Sequence, residues 1–146
     1  MARDLTSAVN KILMDYADEV ELAMLKVEDD VSKEAAKKLK APNGSPFNER
    51  SHGKHGRHYQ KDWYVDNQSK KRNAKFIVAN HQYQLTHLLE KGHDIIRNGV
   101  KVGHADAKEH IKPVEKWTQK EVVDRMEDKL RMMSKTTTKI DIVFKE

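Results

Sequence analysis

The chain of 146 residues has no cysteine, only three prolines and six glycines, and no apolar run near the roughly 20 residues that a membrane-spanning helix needs. Without cysteine, disulfides, thiolate zinc sites and cysteine nucleophiles are excluded, so any metal would need His, Asp or Glu ligands. The N-terminus, Met-Ala-Arg-Asp-Leu, also lacks the apolar segment of a secretory signal. We therefore expect a soluble protein that is used without export and that binds no membrane.

Charged residues are abundant, at 35% of the chain against 37% hydrophobic residues. The 28 Lys and Arg exceed the 23 Asp and Glu by only five, so the surplus of positive charge matters only where it is concentrated. A chain of this size buries roughly 68–70% of its unfolded surface. We therefore expect one α+β domain over residues 1–146 with a modest core.

The clearest pattern is helical and covers about Asp4 to Lys40. Apolar residues recur there at steps of three or four, on one face of an α-helix, until Pro42 and Gly44 end it. These residues are Leu5, Val9, Ile12, Tyr16, Val20, Ala23, Val27, Val31, Ala35 and Leu39. A helix of that length measures roughly 50 Å, whereas a compact chain of this size is only very roughly 40 Å across. We expect the helix to overhang the rest or bend, and an overhanging part to pack on a neighbouring subunit.

Residues 41–61 follow neither hydrophobic period and combine two prolines, three glycines and three histidines. They predict a flexible loop that is a candidate contact arm. An α+β body over about 62–146 should follow, beginning with two antiparallel strands at 63–65 and 76–79. A short helix from Tyr83, ended by Gly92, and a tight hairpin at Asn98-Gly99 come next.

A last helix is predicted over about 114–133. Thr118 and Glu121 have the spacing of a capping box, whereas Pro113 offers an earlier start, and the sequence leaves both open. The alternating run Lys139 to Phe144 then predicts a final strand.

Histidine clusters are the only candidates for a metal site. His52, His55 and His58 lie three apart in the glycine-containing loop, and His104 and His110 flank a polar segment that includes Glu109. Metal sites need rigid, oriented ligands, so we favour solvated or polyanion-facing histidines and expect no metal and no cofactor. Phosphate-binding loops, dinucleotide fingerprints and a recognisable Ser/His/Asp arrangement are absent from the sequence, so no catalytic residue is proposed and we expect no enzyme.

The surplus of basic residues lies in the middle of the chain, where it predicts a surface for DNA or for a protein partner. Its members are Arg50, Lys54, Arg57, Lys61, Lys70, Lys71 and Arg72. Tyr59, Trp63 and Tyr64 lie among them, as in proteins that stack single-stranded bases, although Trp63 and Tyr64 equally fit the core of a strand.

The run His87-Leu88-Leu89-Glu90-Lys91-Gly92-His93, followed by a glycine-containing hairpin and then His110-Ile111-Lys112-Pro113-Val114, resembles the minor tail-component family of tailed bacteriophages. That family includes tail-completion and head–tail joining proteins. The long N-terminal helix, the Ser45-Pro46 loop and the segment from Gly56 through Tyr59 to Trp63 come in the order found in the family. The resemblance covers roughly residues 45–130.

This resemblance implies a structural virion protein of the phage neck, made in the host cytoplasm. It would form a cyclic homo-oligomer, six- or twelve-fold, between the head-closure or connector protein and the tail terminator or tail tube protein. The ring would surround the channel for double-stranded DNA and contact that DNA without sequence specificity. The motif positions then serve architecture: His87, Leu88, Leu89, Glu90, Gly92, His93, His110 and Pro113. The alternative is a basic nucleic-acid-binding regulatory protein.

Overall fold

The chain has the predicted α+β fold, and the computed structural model describes residues 2–47, 53 and 56–137. Arg50, Lys54, His52 and His55 lie outside the described residues. The predicted final strand, Lys139–Phe144, also lies outside them.

Helix α1 covers Ala2–Lys40, as its period predicts. Only the C-terminal half of its apolar stripe is covered: Val27, Val31 and Leu39 are buried, whereas every residue from 4 to 19 is exposed. We call residues 4–19 the overhang. At about 1.5 Å per residue it extends roughly 24 Å.

The strands form two separate antiparallel pairs in the described part of the chain. Strand β1 (Trp63–Asn67) pairs with β2 (Phe76–Asn80), and β3 (His93–Arg97) pairs with β4 (Val100–Ala105). Asn98 and Gly99 have φ of 49° and 75° in the second hairpin, as expected for a tight turn whose twist matches that of the strands.

Helix α2 (Tyr83–Lys91) ends at Gly92, as predicted, whereas α3 (Ile111–Thr137) begins earlier than position 114. Pro113 is its third residue, which is close to the earlier of the two predicted starts. The prediction of a capping box at Thr118 and Glu121 was wrong, because Thr118 lies inside the helix and its hydroxyl donates to the Val114 carbonyl at 2.7 Å. A threonine inside a helix satisfies its hydroxyl in this way with the preceding turn.

The core lies where the C-terminal half of α1 meets the chain between α1 and β1. Leu39, Tyr59 and Trp63 form its buried centre, and Val78, Leu85, Leu89, Ile111 and Val114 pack against it. Tyr59–Lys61 forms a 3₁₀ turn within the predicted loop. Trp63 is only 3% exposed, which fits the core interpretation, and Tyr59 is 4% exposed, so neither ring is free to stack a base. The core interpretation was wrong for Tyr64, which is 38% exposed and stacks on the His81 ring.

Candidate functional site

Glu90, at the end of α2, caps the N-terminus of α3. Its Oε2 accepts hydrogen bonds from the backbone N–H groups of His110 at 2.8 Å and Ile111 at 3.0 Å, and its Oε1 accepts one from Lys112 at 3.0 Å. The first N–H groups of a helix have no partner inside the helix and lie at the positive end of its dipole. A carboxylate from another helix therefore satisfies three donors at once and fixes α2 against α3.

The ionisation of Glu90 reflects this environment. Burial is the largest single influence and raises the pKa of the carboxyl, but the three backbone N–H groups and the nearby His110 together lower it below its ordinary value. Glu90 is therefore the anionic cap of α3 at neutral pH.

His110 connects this cap to the core. Its Nδ1 lies 2.7 Å from the Lys108 carbonyl oxygen and 3.0 Å from Glu90 Oε2, while its Nε2 lies 2.8 Å from the Tyr59 hydroxyl. Nδ1 faces two acceptors and therefore carries a proton, while Nε2 and the Tyr59 hydroxyl share one hydrogen bond. His110 thus joins α3, α2 and the 3₁₀ turn.

The Tyr59 hydroxyl is held inside this cluster. Its ring meets the rings of Trp63 and His110 edge-on, with centroids 5.7 and 5.6 Å away. Burial, as the main cause, raises the pKa of Tyr59 above its ordinary value. Tyr59, His110 and Glu90 all direct their polar atoms at neighbouring protein atoms. We call these three residues the joint, because their contacts hold α2, α3 and the 3₁₀ turn together.

Gly92 shapes the exit from α2. Its φ of +76° favours glycine, and a Cβ at this position would lie 2.6 Å from the Ala105 carbonyl oxygen. The chain of β4 and the segment after it therefore pass directly over this residue.

Sequence reasoning missed two buried polar residues near Tyr59. The Asn80 side chain donates to the Tyr59 carbonyl at 2.7 Å, and the fully buried Asp62 accepts from Gln82 Nε2 at 3.1 Å. Arg57 Nη1 lies 4.0 Å from the other Asp62 oxygen. Their only signal in the sequence is their position, Asp62 just before β1 and Asn80 at the end of β2, where polar residues are common.

The other motif residues surround this joint. Leu89 packs on the core, Leu88 and His93 are half-buried, and His87 and Pro113 are exposed. The motif residues with direct polar contacts across the joint are therefore Glu90 and His110.

The structure does not bring together those of the predicted basic residues that it describes. Lys70, Lys71 and Arg72 form the turn between β1 and β2, which we call the basic turn. Arg57 and Lys61 precede β1 at its other end, about 17 Å away along a five-residue strand. Lys61 Nζ donates to the Lys40 carbonyl at 3.0 Å.

The described histidines have separate surroundings. His58 contacts the Phe47 ring, with centroids 4.6 Å apart, and His104 Nδ1 lies 2.7 Å from Asp94 Oδ1. Glu109, beside His110, is exposed. Within residues 2–47, 53 and 56–137, no group of three His, Asp or Glu is placed to hold a metal ion.

No protein-family model, curated protein or solved structure matches this chain. None of the described helices is both long and apolar enough to cross a membrane.

Proposed function

We propose that this chain is a structural protein of a tailed-phage neck that forms a ring between the head-closure layer and the tail. The observation that carries the proposal is that Glu90 joins the two separated parts of the phage-like motif, 87–93 and 110–114, by three backbone hydrogen bonds. Residues that recur together in an architectural family should hold elements together, and these residues do.

The overhang supports a role in assembly. Leu5 and Ile12 are 69% and 67% exposed on a helical segment that the rest of the described chain leaves uncovered. Single helices of this length are only marginally stable in water, and their apolar faces gain most from a partner. A neighbouring subunit in a ring would supply that partner.

The ring is proposed to surround double-stranded DNA without holding it tightly, because tight binding would obstruct passage through the channel. Any affinity should be independent of sequence and should fall steeply with salt, as cations displaced from DNA phosphates dominate such binding. Filter binding to unrelated duplexes over a range of salt concentrations measures this. Sequence-selective or salt-insensitive binding would contradict the proposal.

The decisive experiment deletes the gene from the phage genome that encodes it and images the lysate by electron microscopy. We expect separate filled heads and finished tails, and joined particles again when the protein is supplied from a plasmid. Normal infectious particles from the deletion would overturn the proposal.

A matched pair of variants sharpens the rescue. Ile12→Asp places a charge in the apolar stripe of the overhang, whereas Asn10→Asp places the same charge on the other side of the helix, since successive residues are about 100° apart. Both positions are exposed, so both variants should fold. Asn10→Asp should rescue joining and Ile12→Asp should not.

The nucleic-acid-binding regulator remains the competing hypothesis, and the exposed basic turn is the observation that favours it. Under this hypothesis, neutralising Lys70, Lys71 and Arg72 should abolish DNA binding and leave particle assembly intact. Normal particles from the deletion, combined with that loss of DNA binding, would select it.

A further inference from the structure

A groove of about 760 Å³ lies between α1 and the basic turn. It is lined by the apolar residues Met14, Leu22 and Leu25 from α1 and by Lys70, Lys71 and Arg72 from the turn. Met14 and Leu22 are more than half exposed, so this wall offers apolar surface to solvent. The groove therefore combines an apolar wall with a cationic one.

The cationic wall is held in a fixed place. Glu21 Oε1 accepts a hydrogen bond from the Arg72 backbone N–H at 2.6 Å, and Lys70 and Asn73 exchange backbone hydrogen bonds of 2.9 Å across the turn. These contacts tie the turn to α1 through its backbone. In the part of the chain that the structure describes, no ion pair joins the side chains of Lys70, Lys71 or Arg72 to a carboxylate, although Asp18 and Glu21 also line the groove.

The overhang complements the groove, because it combines exposed apolar side chains with acidic ones. Apart from Asp18, which lines the groove of its own molecule, its charged residues are the carboxylates Asp4, Asp15 and Glu19 and a single lysine, Lys11. Asp15 and Glu19 lie three residues after Ile12 and Tyr16 and therefore border the apolar stripe. An acidic edge thus runs beside exposed apolar side chains.

These two surfaces occupy opposite sides of the same helix. At about 100° per residue, Met14 and Leu25 face away from Ile12 and Tyr16. One molecule can therefore offer its groove to one neighbour and its overhang to another at the same time.

We infer that the groove receives the overhang of a second copy of this chain, with its apolar stripe on Met14, Leu22 and Leu25 and its carboxylates beside Lys70 and Lys71. The contact is head-to-tail, and such contacts close into rings when the rotation between copies permits. The inference deepens the proposed function and rests on it for the ring, but the contact itself is tested on the purified chain.

Cross-linking tests the contact directly, because the natural chain has no cysteine and each engineered cysteine is unique. Ala74→Cys marks the groove, Ala8→Cys marks the acidic side of the overhang, and Asn10→Cys marks its opposite side. Oxidising mixtures of two full-length variants should give an Ala74→Cys with Ala8→Cys dimer and far less with Asn10→Cys. The inference is overturned if no cross-link forms, or if the main product is a dimer of two Ala8→Cys chains.

Charge reversal tests the electrostatic part. Lys70→Glu with Lys71→Glu in the groove partner, or Asp15→Lys with Glu19→Lys in the overhang partner, should each reduce the cross-link severalfold. Mixing the reversed groove with the reversed overhang should restore it, because opposite charges again face each other. The matched control, Lys116→Glu with Lys120→Glu on the exposed side of α3, should leave it unchanged. A yield insensitive to reversal, or no restoration in the mixture, overturns the inference.

The two proposals fail separately. Normal particles from the gene deletion, with the cross-links as expected, would remove the neck function and leave the contact between copies. Unjoined heads and tails without those cross-links would keep the neck function and remove this contact. If reversing the basic turn abolishes DNA binding and leaves the cross-link at full yield, the turn serves DNA and the inference is overturned.

Discussion

Arg125 in α3 forms a bidentate ion pair with Glu34 in α1: its Nη1 lies 2.9 Å from Oε1 and its Nη2 lies 2.7 Å from Oε2. Its Nε also donates to Glu121 at 2.8 Å. The hydrogen bond with Arg125 is the main cause that lowers the pKa of Glu34. The fork fixes how the two long helices lie against each other.

Arg125→Lys should therefore lower the midpoint of thermal unfolding, because an ammonium keeps the charge and loses the planar fork. The matched control is Arg131→Lys, since Arg131 meets Glu127 and Asp128 only at 3.9 and 3.8 Å on the exposed side of α3. Circular dichroism at 222 nm measures both midpoints. Equal midpoints for the two variants would show that charge alone matters at position 125.

Much of this fold follows from local sequence, and α1 and the Asn98-Gly99 hairpin are the clearest cases. The helical period of α1 and the turn chemistry of Asn-Gly act over a few residues, so a single sequence carries them. The exposed overhang was also expected, because a helix of that length is too long for a compact domain of this size.

The start of α3 shows where local reasoning stops. A capping box is a local pattern, and the spacing of Thr118 and Glu121 fits it. The observed cap, Glu90, comes from another helix 20 residues before His110. Such a partner depends on how α2 packs, and periodicity does not encode that.

The candidate joint shows the same limit at Tyr59. Proline, glycine and histidine around it predict a loop, yet its ring is buried against Trp63 and His110. The contact with His110 spans 51 residues. The residues next to Tyr59 and those next to His110 carry no local signal of this contact.

Glu90→Gln should lower the free energy of unfolding by about 1–2 kcal/mol, because the neutral amide offers one oxygen to three backbone donors. Glu115→Gln is the matched control, since that side chain is exposed on α3. Urea unfolding near neutral pH measures both. A loss of the same size in the control would contradict the capping role.

The stabilisation by Glu90 should depend on pH in a defined direction. Its pKa is lower in the folded chain than the ordinary value, so folding favours the ionised carboxylate. The contribution is fully present above the unfolded pKa of about 4.3 and is lost as the pH falls through the folded pKa. The difference in unfolding free energy between wild type and Glu90→Gln should therefore be constant above about pH 5 and shrink below about pH 4. Urea unfolding of both proteins across this range measures it, and a difference that stays constant into acid would contradict it.

Gly92→Ala should be more damaging than Gly99→Ala, although both glycines have φ near +75°. A Cβ at Gly99 meets nothing within 4 Å, so that variant loses only the roughly 1–2 kcal/mol of an unfavourable backbone conformation. At Gly92 the same Cβ would also lie 2.6 Å from the Ala105 carbonyl oxygen and 2.9 Å from the Ala107 nitrogen. Both contacts are with backbone, so relief requires moving the segment that leads into α3 and its cap. Gly92 also has ψ of 170°, a backbone conformation that essentially only glycine adopts, which adds to the loss expected there. Urea unfolding of the two variants measures the difference, and equal losses would contradict the prediction.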